Sequence, residues 1–314
     1  MNASPPQAGQ VRPPQVTWAS DAVAATLPSD RLAMTCPNCG SAAQKSLVLA
    51  VDFLTPDHPL RRTHVLRCPD CTAAFYDDQN PPDYAEESML GRGRVPFYVQ
   101  QGAGVWLITR PLAQLRNPPA SAYMEVGCGF GFGLDYAIRA NGWDGRGIDP
   151  AGLSALGRDQ LALPIELRYL HDDDEARGSM DVVLGSEVIE HVPSPRAFVR
   201  TLRAMLKPSG VLVLTTPNGE HLAPSMPSGA LVPLLSPGLH LVFQNPVSLR
   251  HLLAEAGFVH VQVETDSHSL VAFASDAPLV LEADPATLRA GYRQHLLARA
   301  AATPPGSYVF LGFA

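Results

Sequence analysis

Met124-Glu125-Val126-Gly127-Cys128-Gly129-Phe130-Gly131-Phe132-Gly133 decides the reading of this chain. An apolar strand, Tyr123–Val126, runs into a turn with glycine at 127, 129, 131 and 133. A helix over Leu134–Ala140 follows and stops at Asn141-Gly142. Glycine permits the tight turn and lets a ligand approach the backbone closely. A dinucleotide fingerprint needs G-x-G-x-x-G, which counted from Gly127 requires glycine at 132, where the chain has Phe132. The spacing is instead G-x-G-x-G, with Glu125 two positions before the first glycine. Asp149 follows Gly127 by 22 residues and ends a second strand, Gly145–Ile148. An acidic side chain at that place can take both hydroxyls of a ribose.

Outward from this turn, short apolar strands alternate with helical stretches. The pattern predicts a helix at Ala151–Leu161, a strand at Ile165–Leu170 and a strand at Asp181–Leu184. Ser194 caps a helix with Pro195 in its first position and Phe198, Leu202, Met205 and Leu206 on one face. Lys207-Pro208-Ser209-Gly210 ends that helix, and Val211–Thr215 is a fifth strand. A further helix begins at Asn245-Pro246 and is closed by Gly257, before a strand pair at Phe258–Val263 and Leu270–Ala274. Such alternation implies a doubly wound α/β fold with a mostly parallel sheet. A helix near Pro285–Ala301 and a strand-like tail, Tyr308–Ala314, complete the chain. The sequence leaves open whether that tail or 270–274 is the last sheet strand.

The glycine segment resembles the E-x-G-x-G-x-G motif of class I S-adenosylmethionine-dependent methyltransferases. Asp181 through Glu190-His191 is similar to the D…E-H run after the fourth strand of many small-molecule members, and Leu206-Lys207-Pro208-Ser209-Gly210 to their L-K-P-G-G turn. The resemblance covers about residues 121–275 and implies a Rossmann-like, seven-stranded sheet and methyl transfer from S-adenosylmethionine. By the same resemblance, Glu125, Gly127, Cys128, Gly129 and Gly131 line the donor's amino acid part, with Cys128 a packing residue rather than a nucleophile. Asp149 holds the ribose, Asp172 or Asp173 faces the adenine, and Ser186 and Glu187 border the donor after the fourth strand. His191 is the first candidate for a base or substrate contact, unless Glu190 and His191 cap the next helix or pair with each other. His240 belongs to a segment similar to the H-x-x-x-F-S-P run of sugar-pathway relatives, with Asn245 in place of the serine, and is a second catalytic candidate. It lies in a long connection, Thr216–Asn245, of the kind that usually covers or binds.

Two C-x-x-C knuckles, Cys36-Pro37-Asn38-Cys39 and Cys68-Pro69-Asp70-Cys71, stand 28 residues apart. Four thiolates at such spacing can close a tetrahedral zinc site with no open position, hence a structural metal. A hairpin of Leu47–Val51 with Thr63–Arg67 would fill the gap. The net charge between the outer cysteines is +1 before the thiolates are counted, too little for a surface that tracks phosphates. The ribbon therefore braces the enzyme rather than reading RNA.

The whole chain has 314 residues, a net charge of −7 and 46% hydrophobic residues. That length allows about two domains. Five cysteines, four of them in close pairs, do not look like a secreted disulfide framework. No signal peptide or bilayer-spanning run is evident, so the expectation is a cytoplasmic protein with no membrane contact. The expected organisation is a disordered lead-in at 1–30, a zinc-binding domain at 31–80, a partly helical connector at 81–120, the methyltransferase domain at 121–275 and an extension at 276–314. The expected acceptor is a small molecule, a sugar or glycoconjugate precursor among the options, with O-methylation preferred. An RNA methyltransferase and a catalytically silent donor-binding module are the other readings. Nucleic acid is an unexpected partner, and the sequence is silent on oligomeric state.

Overall fold

Alternation along single strands dictates the layering. Tyr123 and Val182 point into one apolar cluster with Leu134, Trp143 and Phe273, whereas their neighbours Met124 and Val183 point into another with Leu202, Leu252 and Leu253. Successive strand residues face opposite sides, so a sheet apolar at every position must be covered on both. In the computed structural model, which describes residues 14–55, 58–86, 102–117, 121–266 and 268–302, helices do this covering.

The strands are β1 (Gln15–Trp18), β2 (Ser46–Thr55), β3 (His58–Arg67), β4 (Ala74–Tyr76), β5 (Ala122–Val126), β6 (Asp144–Ile148), β7 (Ile165–Glu166), β8 (Met180–Ser186), β9 (Leu206–Pro217), β10 (Val242–Phe243), β11 (His260–Asp266) and β12 (Ser269–Ser275). Seven of them form one sheet in the order β11-β12-β9-β8-β5-β6-β7. Strands β5 to β9 run parallel, and β12 is antiparallel to both β9 and β11. This is the expected Rossmann-like α/β sheet. The order reverses between β5 and β8, and ligands of such sheets bind at the carboxyl ends of the strands beside that reversal. The Gly127–Gly133 bend leaves β5 there.

The other strands form a second sheet, β1-β2-β3-β4-β10. The hairpin between the cysteine pairs has the expected register, with Ser46 opposite Arg67 and Val51 opposite Thr63. Its last strand, β10, comes from the long connection after β9. The helix Ser228–Leu235 of that connection buries Leu231, Leu234 and Leu235 against Leu49, Val51, Phe53 and Tyr76. Residues 216–245 therefore share a core with the cysteine-bearing sheet, and the long connection is a structural joint.

Several expectations need correction. Residues 15–24 carry β1 and a helix, Asp21–Ala24, where a disordered lead-in was expected. The short apolar alternation of Val16 and Trp18 suffices because β2 supplies the pairing edge. β7 ends at Glu166, not Leu170. It is an edge strand, and beyond it Arg168 turns away to pair with Glu166 and Asp174. β9 is counted from Leu206, but its register against β8 shifts between Leu206 and Val211, so Lys207–Gly210 loops out of the ladder as the expected turn, with Lys207 Nζ 2.8 Å from Asp181. β12 pairs with both β9 and β11, and the tail 308–314 lies outside the described residues, as do Phe97 and Tyr98 of the connector.

Gly157, inside the helix Gly152–Leu161, lets that helix touch the glycine bend. A β-carbon there would lie 2.1 Å from the Phe130 carbonyl oxygen. Backbone cannot move aside as a side chain can. Gly157→Ala should therefore cost about 1–3 kcal/mol of stability and lower the melting temperature in a calorimetric scan, and an unchanged melting temperature would show that the contact is loose.

Candidate active site

The bend after β5 is held by its own backbone and by one carboxylate. Gly127, Gly129 and Gly131 have φ values of 70°, 53° and 87°, the left-handed region that glycine enters at least cost. The Gly127 N–H bonds Ile148 O at 2.8 Å, and the Gly131 N–H bonds Cys128 O at 2.8 Å. Asp149 takes the Gly129 N–H on Oδ2 at 2.8 Å and the Ala151 N–H on Oδ1 at 2.7 Å. It is 7% exposed, and burial raises its pKa against those two backbone bonds. Each carboxylate oxygen keeps a second lone pair, so Asp149 can hold the bend and still accept from a ligand's hydroxyls. A β-carbon on Gly129 would meet nothing within 4 Å, whereas one on Gly127 would strike Val188 at 2.3 Å and one on Gly131 Leu163 at 2.6 Å. The open side of the bend is thus at Gly129.

Glu125 sits beneath the bend. It is 2% exposed, accepts the Tyr123 hydroxyl at 3.1 Å, and would lie 2.7 Å from a β-carbon on Gly133. Burial pushes its pKa up to about 8. Cys128 is buried and packs on Gly147 of β6, where a β-carbon would approach its sulfur to 2.8 Å.

The carboxyl end of β8 carries the titratable groups. Ser186 Oγ lies 2.7 Å from Thr215 Oγ1, which donates to Glu187 Oε1 at 2.9 Å. Glu187 has φ 53°, a strained value for a side chain with a β-carbon. Three residues on, Glu190 is 2% exposed. Its Oε2 accepts from Thr216 at 3.0 Å, while its Oε1 has no hydrogen-bond partner and faces His191 Nε2 at 3.8 Å. Burial raises both carboxyl pKa values, and the charge of Glu190 adds to the rise at Glu187.

His191 Nδ1 lies 3.1 Å from Leu239 O and 2.8 Å from the Tyr84 hydroxyl. A carbonyl only accepts and a phenol oxygen can also accept, so a proton on Nδ1 suits both and leaves Nε2 with a free lone pair. His240 has the same polarity, with Nδ1 2.7 Å from Leu234 O. The two rings meet edge to face with centroids 4.8 Å apart. Burial lowers both imidazole pKa values, to about 4 for His191 and about 3 for His240, so both are neutral at pH 7.

The expected residues are not all brought together. Asp172 and Asp173 are exposed, and the Asp172 carboxylate accepts from Thr201 on the helix Pro195–Met205. Among the described contacts none joins either residue to the glycine bend. Two further residues, Tyr84 and Gly157, come to the site unannounced, and Asn218, 2% exposed just past β9, is buried with an unpaired amide nitrogen. Tyr84, in the stretch after Asn80-Pro81-Pro82, reaches His191, and its neighbour Asp83 accepts from Tyr169 at 3.0 Å. Gly157 lies under Phe130. A glycine mid-helix was the one readable signal among them, since Tyr84 and Asn218 follow no spacing rule.

The four knuckle cysteines converge on one point. Cys36 Sγ is 3.7 Å from Cys71 Sγ, and Cys39 Sγ is 3.8 Å from Cys68 Sγ. Sulfurs about 2.3 Å from a tetrahedral ion stand about 3.8 Å apart; these two pairs match that spacing, and all four sulfurs lie within 4.8 Å of one another. The two knuckles repeat one backbone pattern. Gly40 N–H bonds Cys36 O at 2.8 Å, and Thr72 N–H bonds Cys68 O at 3.0 Å. Gly40 and Thr72 both have positive φ, 77° and 65°. The Cys36 thiol is pushed up by its bond to Cys71 and by burial, while Cys71 is held down to about 5 by the same bond. Cysteines bind a metal as thiolates, and a divalent cation between four such close sulfurs would stabilise that form.

A family described as a methyltransferase domain matches residues 106–263, a span that begins after the cysteine pairs. The chain is 34% identical over 154 residues to a ubiquinone biosynthesis O-methyltransferase of Psychrobacter arcticus, an alignment covering 45% of this chain and 60% of that protein. It is 32% identical over 180 residues to the protein of the same name from Ruegeria pomeroyi, covering 54% of this chain and 71% of that one. The chain thus spans about three fifths of the length of the first of these relatives. A solved O-methyltransferase family protein from Burkholderia thailandensis is 16% identical, with a TM-score of 0.48 over 63% of this chain and 64% of that one. No helix among the described residues is long and apolar enough to cross a membrane. Its matched span covers half of the sequence and includes the glycine bend, and the chain belongs to the class I S-adenosylmethionine-dependent methyltransferases.

Proposed function

We propose that the protein transfers the methyl group of S-adenosylmethionine to a hydroxyl of a small acceptor, a sugar or glycoconjugate precursor being one option. The observation that carries this reading is the bend itself, whose open side at Gly129 lies against the Asp149 carboxylate. A donor bound there supplies a methyl group already activated on a sulfonium sulfur. Asp149 would accept the ribose hydroxyls, while Gly127, Gly129 and Gly131 would leave room for the amino acid part. Positioning then does most of the work. As the acceptor oxygen bonded the methyl carbon, the S–CH3 bond would break to leave a neutral thioether, and the acceptor hydroxyl would have to give up its proton. His191 takes that proton at Nε2, and Glu190 Oε1 beside it steadies the imidazolium that results. His240 and Asn218 supply the other polar contacts to the acceptor. The relatives' names support oxygen as the atom methylated.

Zinc in the Cys36, Cys39, Cys68 and Cys71 site would be structural, since all four positions around it are filled by sulfur.

Asp149→Ala should weaken S-adenosylmethionine binding by roughly ten- to a hundredfold, the worth of about 1.5–3 kcal/mol for hydrogen bonds to a charged group, with the far-ultraviolet circular dichroism unchanged. Calorimetric titration giving wild-type affinity would refute the ribose assignment. Metal analysis of the purified protein should find about one zinc per chain, and Cys68→Ser should lose it. Zinc-free wild-type protein with an intact fold would count against the site. Burial disfavours the charged imidazolium, so an NMR titration from pH 8 downward should find His191 and His240 neutral to below pH 5, in line with values of about 4 and about 3. A midpoint near the ordinary 6.5 for either ring would show that it is open to water.

A further inference from the structure

Asn38, inside the first knuckle, and Gln244, just after β10, are both fully buried. Gln244 Nε2 donates to Asn38 Oδ1 at 2.7 Å, and Gln244 Oε1 accepts from Ser248 Oγ at 2.8 Å. Asn38 Nδ2 points at Cys71 Sγ, 3.6 Å away, and at Ser248 O, 3.4 Å away. At the second knuckle, Thr72 O accepts from Asn245 Nδ2 at 2.9 Å. Both knuckles therefore grip residues 244–248.

The same stretch, followed backwards, runs to the histidine pair in four residues. Val242 and Phe243 pair with β4. The Leu241 N–H bonds Glu190 O at 2.6 Å, and Leu241 O accepts from Tyr76 N–H at 2.9 Å. His240 faces His191, and Leu239 O meets His191 Nδ1 at 3.1 Å. The segment is thus tied to the cysteine-bearing sheet on one side and to the β8 edge on the other. The bonds that hold the glycine bend, to Ile148, Asp149 and Cys128, touch neither knuckle. Apolar side chains would fill the Asn38–Gln244 space as well. A buried amide pair adds a fixed register, because a slip leaves its polar atoms unpaired.

We propose that Asn38 and Gln244 are positioning residues that couple the metal-binding knuckles to His240 and the Leu239 carbonyl. The knuckles then set the geometry of the acceptor side of the site and leave the donor cradle alone. The inference rests on the reading above only in assigning the histidine pair to the acceptor.

Two measurements on the full chain test it, and neither needs turnover. In the first, zinc is removed with a chelator and amide exchange is followed by NMR. Exchange at the Leu241 amide should quicken at least tenfold while the Gly129 amide keeps its wild-type rate. Equal quickening at both would make the knuckles a general stabiliser, and no change at Leu241 would mean no coupling; either result overturns the proposal. In the second, Gln244→Ala should keep its zinc and its S-adenosylmethionine affinity, yet move the imidazole nitrogen shifts of His240 away from a single species protonated on Nδ1. Unchanged His240 shifts, or a matching loss of donor affinity, would overturn it. If Gln244→Ala does not fold, the exchange experiment on the wild-type chain decides alone. A protein that passes both tests but methylates nothing would refute the functional reading and leave the coupling standing.

Discussion

One carboxylate ties together the two halves of the donor cradle. Asp149 accepts a backbone N–H from the glycine bend after β5 and another from the start of the helix after β6. Neither N–H has a helical or ladder partner of its own, and a buried N–H left unpaired is costly. The carboxylate is in turn costly to bury without donors. Each need answers the other, and the result is a rigid bend whose open side faces the place where the strand order reverses. Everything assigned to the donor depends on that arrangement.

The acceptor side has a different origin. Its groups come from the end of β8, from Tyr84 in the segment before the family span, and from His240 in the connection that completes the second sheet. The matched family span starts at residue 106, so the cysteine knuckles lie outside it. They are nonetheless tied to it. β10 pairs with β4, and the helix Ser228–Leu235 shares a core with the β2–β3 hairpin. The bend proposed for the donor is thus built on the seven-stranded sheet, whereas the proposed acceptor side also leans on the cysteine-bearing sheet.

The sequence was most legible where local chemistry and global fold agree. Gly127, Gly129 and Gly131 could be read as a bend because glycine tolerates the positive φ each adopts. The hairpin between the cysteine pairs could be placed because both of its strands and both knuckles are visible at their own spacing. Ser194 and Asn245 cap their helices as read. Legibility failed where tertiary contacts decide. β7 is short because its one neighbour, β6, ends at Ile148, and beyond Glu166 the Arg168 side chain pairs with Glu166 and Asp174. Val16 and Trp18 gave too short a pattern to announce a strand that β2 then provides. The bond from Thr201 on the helix Pro195–Met205 to Asp172 follows from no local pattern. Tyr84 lies more than a hundred residues from its partner His191, and nothing local marks the meeting.

A crystal structure of the full chain with S-adenosylhomocysteine at saturation tests the account most directly. It should show both ribose hydroxyls within hydrogen-bonding distance of the Asp149 carboxylate and the amino acid part lying along Gly127–Gly131. Clear density for the molecule at any other place, or an empty bend beside an otherwise well-ordered sheet, would contradict it.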